Sequence, residues 1–403
     1  MISVDEALQL VLAHADVLPA VEAPLADALG LVLARDVASD LDSPPWDKAM
    51  VDGYAVQAAD LASGHARLTI LEEIVAGAVP TQSVRPGGAT RIMTGAPTPD
   101  GCDAVVMVEQ TSHHPGDGLG QVEINEVARA GQNILRRATA LAQGDVALLA
   151  GKKLRAIEIG LLAEVGCVQA PVIPRPRVAV LSTGNELIPP SEIPGPGQIR
   201  NSNGPMLAAA VRELGASAIE LGPARDELAD LRQRVAEGLD ANILVLSGGV
   251  SAGVLDLVPQ VLAELGVEQV FHKIKLKPGK PLWFGVRRGR RPCLVFGLPG
   301  NPVSSLVCFQ LFVRPAMASL AGQQGHGLTR VRARLASGFQ HRGDRPTYHP
   351  AVFDSAGEAP TIEPLRWQGS ADLFGLSLAN ALAHFPAGDR HYAAGESIEA
   401  VLL

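Results

Sequence analysis

From residue 177 to residue 321 the chain alternates short apolar runs with segments of helical period, and this alternation restricts the fold more than any other feature. VAVLS (178–182), SAIEL (217–221) and NILVLS (242–247) are dense in Val, Ile and Leu, as strands buried on both faces require. Between them, PMLAAAVRELGA and ELADLRQRVAEGL carry apolar residues three and four apart, the spacing of one helix face. LVPQVLAEL follows as a further helix, more strands fall between 268 and 297, and VSSLVCFQLFVRPAMASLA closes the stretch as a long helix. Residues 175–324 are therefore expected to form a doubly wound α/β domain.

In such a sheet, ligands bind beyond the carboxyl ends of the strands. Three glycine-containing turns fall there: STGNE (182–186), SGGVSAG (247–253) and GLPGNP (297–302). Each alone can be a mere connection. Together at one edge they point to a ligand, because glycine lets backbone N–H groups approach phosphate oxygens and helix N-termini add positive potential. Ser182, Gly248, Gly249, Ser251, Gly300, Asn301 and Pro302 are the candidate binding residues. Asn301 followed by Pro302 also predicts a helix start capped by Asn301.

FHKIKLKPGKP (271–281) is the sharper signal. As a strand it places Lys273, Lys275 and Lys277 on one face and Ile274 and Leu276 on the other, with Lys280 after a Pro-Gly turn. Two readings stand: an exposed edge guarded by lysines, or a cage for an oxyanion or polyphosphate. Glu186, Asp226 and Asp256 sit beside the glycine turns. Carboxylates next to a basic phosphate site suggest Mg²⁺, which takes one or two of them plus substrate phosphates. Singly, Asp226 and Asp256 serve equally well as helix caps. Arg287, Arg288, Arg290 and Arg291 read as a solvated hairpin tip without a role.

Outside this domain the rhythm changes. Residues 3–14 and 24–34 have helical spacing, as does AIEIGLLAEVG. From 66 to 136, short apolar runs are broken by Gly and Pro, and two of them flank HHPGDGLG as a hairpin would. The expectation is a helical first domain (1–45 and 138–174) interrupted by an inserted β domain (46–137), with a small β domain at 325–403. A formal charge of −8 excludes general nucleic-acid binding, which needs a broad basic face. Cys102, Cys167, Cys293 and Cys308 lack metal-ligand or redox spacing and read as thiols in a reducing compartment. The N-terminus is acidic where a signal peptide would be basic, and no apolar run approaches about 20 residues. A cytoplasmic protein without membrane contact is expected.

Taken together, VDGYAV (51–56), TRIMTGAP (90–97), LSTGNEL (181–187), SGGVSAG, KLKPGKP, GLPGNPVSS (297–305) and QGSADL (368–373) closely resemble the MoeA and gephyrin E-domain family, in that family's order and over nearly the whole chain. The resemblance implies an elongated homodimer with a cleft shared between subunits. The implied reaction inserts molybdenum from molybdate into adenylyl-molybdopterin with Mg²⁺, releasing AMP. It implies Asp226 and Asp256 near metal and pyrophosphate, and Glu186 beside the first turn. Lys273, Lys277 and Lys280 would hold phosphate or molybdate; Asp52 and Thr94 would come from the opposite subunit, and Arg345 and Ser370 from the C-terminal domain. Transient contacts with the preceding adenylyltransferase and with molybdoenzyme apoproteins are implied as well. Two departures from the family pattern stand out. Arg137 is followed by Ala138, Thr139 and Ala140 in place of Gly-Glu-Asp, and Val254 and Leu257 replace a glutamate and an aromatic residue. A non-catalytic scaffold on the same fold is the alternative. The adenylyltransferase itself is disfavoured by the extra domains.

Overall fold

The strand runs assemble into one six-stranded sheet ordered Ser217–Ala224, Arg177–Thr183, Ile243–Ser247, Cys293–Leu298, Trp283–Arg287, Val267–His272. The first four are parallel, Trp283–Arg287 runs antiparallel to them, and Val267–His272 pairs antiparallel with it and so runs with the first four. The computed structural model describes residues 1–249, 257–289 and 291–403. Period-two alternation divides each central strand between two cores: Val178, Val180, Ile243 and Val245 face one cluster, Ala179, Leu181, Leu244 and Leu246 the other. The helix Asn203–Glu213 covers the first face through Leu207 and Val211. The helices Leu228–Gly238 and Leu257–Glu264 cover the second through Leu231, Val235, Val258 and Val261. This is the doubly wound arrangement expected.

Residues 302–320 form one continuous helical span of 19 residues, long and apolar enough to cross a membrane, yet it lies largely buried inside the protein. Its apolar surface is used by the core, where Val303, Val307, Phe312 and Met317 pack. A π turn at Phe309–Val313 precedes Pro315. Proline lacks an N–H and its ring collides with the carbonyl four residues back, so a widened turn accommodates it without ending the helix.

Near the N-terminus, the helix Val4–Leu12 is closed by a capping box in which Ser3 Oγ accepts from the Glu6 N–H (3.1 Å) and Glu6 Oε2 accepts from the Ser3 N–H (3.4 Å). Its buried residues Val4, Ala7 and Val11 join the core of the α/β domain. The helix expected over 24–34 is absent. Val21–Pro24 and Val32–Leu33 are strands on either side of Gln169–Ile173, separated by a single 3₁₀ turn at Leu25–Asp27. Gly30, at φ +79°, breaks the segment, and the residues left between Pro24 and Gly30 are too few to nucleate a helix.

The second helix of this part, Ala156–Glu164, begins at a buried carboxylate. Glu158 accepts from Arg155 Nη2 (2.7 Å), Nε (3.0 Å) and backbone N–H (2.9 Å), and Lys152 Nζ lies 3.5 Å away. The Arg155 guanidinium above all holds its pKa down, from 4.5 to about 2, against the opposing effect of desolvation. A depressed carboxylate contributes stability above its unfolded pKa and loses it as pH falls towards the folded value. Stability should therefore decline between pH 4.5 and about 2 through this group, and Glu158→Gln should flatten that part of the pH–stability curve. Identical acid limbs for the two proteins would refute the assignment.

The inserted part is a six-stranded sheet, ordered Ala104–Met107, Gly53–Val56, Gly88–Ile92, Ala66–Ile74, Gln121–Ile124, Thr111–His114, and its last two strands form the expected hairpin. The C-terminal part is a closed five-stranded barrel, Arg330–Leu335, Thr361–Pro364, Thr347–Asp354, Ala381–Phe385 and Ser397–Leu402, filled by Phe385, Ile362 and Tyr392.

The loop that departs from the family pattern keeps a defined shape. Arg136 Nη1 bonds Asp47 (2.5 Å), Arg137 pairs with Asp42, and the Ala138 and Ala140 N–H groups donate to Pro44 O and Ser43 O. Ala138 has φ +59°, which accounts for the glycine the family pattern carries there. An L-residue in that region costs about 1–2 kcal/mol, offset in part by the extra entropy glycine loses on folding, about 0.5–1 kcal/mol. Ala138→Gly should thus raise the denaturant midpoint modestly; a lowered midpoint would contradict the strain.

Candidate functional site

At the carboxyl ends of the parallel strands lies a cleft of about 750 Å³. All three glycine turns open into it: Ser182, Gly184 and Glu186 from the first, Gly248 and Gly249 from the second, and Gly300, Asn301 and Pro302 from the third. Asp226, after the edge strand, lines it too, and Ala371 and Leu373 close one wall from the C-terminal part. Ser251 and Asp256 lie outside the described residues.

The turns are locked together by short contacts. A side chain at Gly248 would meet Thr183 O at 2.6 Å, and one at Gly249 would meet Thr183 Oγ1 at 2.6 Å and Val258 Cγ2 at 2.7 Å. Both glycines have positive φ, +93° and +65°. Asn203 Nδ2 donates to Ser247 Oγ (2.7 Å) and to Gly300 O (2.6 Å), clamping the second turn to the third. Ser182 Oγ donates to Asn201 Oδ1 (3.0 Å), which also accepts the Gly204 N–H (3.0 Å). The helices beginning at Asn203 and Pro302 both start at the cleft, so two positive dipole ends converge there.

The carboxylates keep their acceptor capacity. The Asn185 N–H donates to Asp226 Oδ2 at a long 3.4 Å, and the Asp226 N–H returns a bond to Asn185 Oδ1 (3.1 Å). Neither Asp226 nor Glu186 forms an ion pair among the described residues. Glu186 folds back over Gly184, where a Cβ would sit 2.5 Å from Oε2. Among the described residues no three His, Cys, Asp or Glu side chains gather as a ready-made cage. That donor set suits Mg²⁺, which keeps waters and relies on substrate phosphates for further ligands.

Asn301 stands at the helix start, but its side chain does not cap the helix. Instead Nδ2 donates to Ser370 Oγ (2.8 Å), while Ser370 O accepts the Val303 N–H (3.0 Å). The third turn is thereby tied to the C-terminal part, and Ser370 stands just outside the cleft.

The lysine segment departs from the expected strand. The strand ends at His272, Lys273 takes φ +70°, and only isolated bridges remain, Ile274 to Ile2 and Lys277 to Thr347. Ile274 and Leu276 are still fully buried, while Lys275 and Lys280 are exposed and Lys273 and Lys277 half-buried. Lys277 N–H donates to Pro346 O, the Tyr348 N–H donates to Lys277 O, and Arg345 Nη1 donates to Leu276 O (3.0 Å). The segment is therefore an irregular strap on the C-terminal barrel, not an exposed sheet edge. Among the described residues Lys273, Lys275, Lys277 and Lys280 have no carboxylate partner. None of them, nor Arg345, lines the cleft.

Asp52 and Thr94 meet each other in the inserted sheet: the Thr94 hydroxyl (2.6 Å) and N–H (2.7 Å) both donate to Asp52 Oδ1 and hold that carboxyl below its ordinary pKa. Both are exposed, and neither lines this cleft. The structure adds residues that sequence reasoning missed: Thr183, Arg200, Asn201, Ser202 and Asn203 line the cleft. Thr183 Oγ1 and Asn203 Oδ1 are buried without a hydrogen-bond partner, so a polar ligand has acceptors waiting. The run Arg-Asn-Ser-Asn just before a helix at the same sheet edge was the signal available.

Comparison with known proteins covers nearly the whole chain. Residues 2–166 match the MoeA N-terminal region (domain I and II), 179–319 a probable molybdopterin binding domain, and 332–403 the MoeA C-terminal region (domain IV). The chain is 35% identical over 381 residues to a molybdopterin molybdenumtransferase of Nostoc sp., covering 92% of this chain and 86% of that protein. It is 31% identical to the protein of that name from Staphylococcus aureus, covering 100% and 95%. Among solved structures, a molybdopterin biosynthesis MoeA protein from Pyrococcus horikoshii superposes with a TM-score of 0.84 at 32% identity, covering 100% of this chain and 99% of that one.

Proposed function

The chain belongs to the MoeA family, and from that premise we propose that it is a molybdopterin molybdenumtransferase, which inserts molybdenum from molybdate into adenylyl-molybdopterin and releases AMP. The observation that carries this reading is the cleft where three glycine turns and two helix starts meet beside Asp226 and Glu186. Backbone N–H groups of the turns and the helix dipoles suit the phosphates of an adenylylated pterin. Thr183 Oγ1 and Asn203 Oδ1 offer acceptors to its N–H and O–H groups. Asp226, together with Asp256 as the family resemblance implies, would hold Mg²⁺. When bound, that ion would supply charge neutralisation at the pyrophosphate.

The remaining residues fit a cleft completed by a second copy of the chain. Lys273, Lys277 and Lys280, without carboxylate partners among the described residues, form a cationic strap suited to molybdate or phosphate, with Arg345 beside it on Leu276 O and paired to Asp344 (3.5 Å); Asp52 with Thr94 presents an ionised carboxylate on the inserted part. A homodimer with a shared site would bring Asp52 and Thr94 to the glycine turns. Transient docking of the preceding adenylyltransferase and of molybdoenzyme apoproteins belongs to the same proposal.

The replacement of Gly-Glu-Asp by Ala138, Thr139 and Ala140 removes both of that pattern's carboxylates and favours, as a second reading, a scaffold without activity. Asp42 and Asp47 still hold the loop through Arg137 and Arg136, so its backbone is not lost with its charge. Reconstitution decides between the readings: purified chain, adenylyl-molybdopterin, Mg²⁺ and molybdate, with AMP and cofactor measured. Molybdate-dependent AMP release supports the enzyme. An inert dimer that binds the pterin nucleotide supports the scaffold, and rescue by Ala140→Asp would locate the lost function.

A further inference from the structure

A second cavity, of about 470 Å³, shares no lining residue with the cleft. It lies where the first part of the chain, the far end of the helix Asn203–Glu213 and the helix Arg314–Leu320 meet. Because Asn203 starts at the cleft and Glu213 ends here, the two cavities are separated by roughly the helix length, about 16 Å at 1.5 Å per residue.

Three cations border it, Lys153, Arg175 and Arg314, against the single carboxylate of Glu213. None of the three cations forms an ion pair among the described residues, although other arginines do so readily, as Arg155 with Glu158 and Arg232 with Glu264. Arg175 is fixed in place: Nη2 donates to Leu29 O (2.7 Å), and the guanidinium lies against Gly30 and Gly215, where added Cβ atoms would come within 3.4 and 3.5 Å of it. Arg314 is half-buried. Its Nη1 donates to Gln310 Oε1 (3.0 Å) and its Nε is buried without an acceptor, so the charge is partly desolvated, and the carboxylate of Glu213, which favours it, stands beyond ion-pair distance. Such a charge is costly unless an anion joins it. Leu31, Ile173 and Met317 supply an apolar wall. The volume falls in the range of small-molecule sites, about 300–1,000 Å³.

We propose that this cavity binds a small organic oxyanion, its phosphate or carboxylate head on Arg175 and Arg314 and its apolar body on Leu31, Ile173 and Met317. Two guanidinium groups suit such a head because each offers parallel N–H donors, which lysine does not.

Calorimetric titration of the full chain with phenyl phosphate and with benzoate, at constant ionic strength, tests the site and separates the two head groups. The expected result is one saturable equivalent per chain for at least one probe. Arg314→Met should weaken it more than tenfold and Arg314→Lys should restore it only in part. Without probe, Arg314→Met should melt no lower than the parent, since a half-buried charge without an ion-pair partner has gone. If Arg314→Met does not fold, Arg175→Gln at the cavity mouth reads the same loss. Absence of saturable binding to the parent overturns the proposal, as does binding unchanged in the Arg314 and Arg175 variants, which would place the probe in the cleft of glycine turns.

Discussion

Asp226→Asn is expected to lower molybdate-dependent AMP release by more than about a hundredfold, beyond the roughly 10–100-fold that loss of an outer-shell partner of a metal costs. Asparagine keeps the shape of the side chain, and the backbone bond from the Asp226 N–H to Asn185 Oδ1 does not involve the carboxylate. What disappears is the charge. Asp226 is exposed at the cleft and pairs with no cation among the described residues, so its charge does nothing for the fold that a neutral amide would undo. The melting temperature should therefore stay within experimental error while the Mg²⁺ concentration for half-maximal rate rises. This split separates a metal ligand from a helix cap, because a lost cap would destabilise the chain at any Mg²⁺ concentration. Full turnover at ordinary Mg²⁺ in the variant would remove Asp226 from the reaction.

The central domain was legible because its strands are buried on both faces, which leaves unbroken Val, Ile and Leu runs such as Ile243–Ser247 between helices of plain period. The glycine turns followed from that topology, and the structure does gather Ser182, Gly248, Gly249, Gly300 and Asn301 at one cleft. Where local pattern misled, tertiary contacts had overridden it. In 273–277 the in–out alternation is real, with Ile274 and Leu276 at 0% exposure, but it belongs to an extended strap tethered to Ile2 and Thr347. Any extended chain laid over a core shows period two, so alternation alone cannot distinguish a ladder from a strap. At 24–34 the helical spacing was genuine, but Gly30 and pairing with Gln169–Ile173 won. Asn301 had the right residue type for a cap and used it on Ser370, a partner 69 residues away. Thr183 and Asn203 escaped notice because their importance lies in contacts with distant turns, which one segment read by itself does not reveal.

The second large effect should come from Gly249→Ala. Positive φ costs an alanine about 1–2 kcal/mol, and overpacking a tight site adds about 1–3 kcal/mol. Both apply here: φ is +65°, and the new methyl carbon would stand 2.6 Å from Thr183 Oγ1 and 2.7 Å from Val258 Cγ2. The sum, about 2–5 kcal/mol, is a large share of the roughly 5–15 kcal/mol that holds a typical domain folded. Thr183 belongs to the first glycine turn, so relief of the clash must push that turn away from the second, and the cleft should lose its grip on phosphate even where the chain still folds. Gly77→Ala is the matching control. Gly77 also has positive φ, +87°, but nothing lies within 4 Å of its missing Cβ, so only the backbone cost remains. Denaturant midpoints of the two variants should therefore differ by the packing contribution, and Thr183→Ala added to Gly249→Ala should recover part of it as a positive coupling in a double-mutant cycle. Equal losses at residues 249 and 77, with no coupling to residue 183, would show that the two turns are not packed against each other as described.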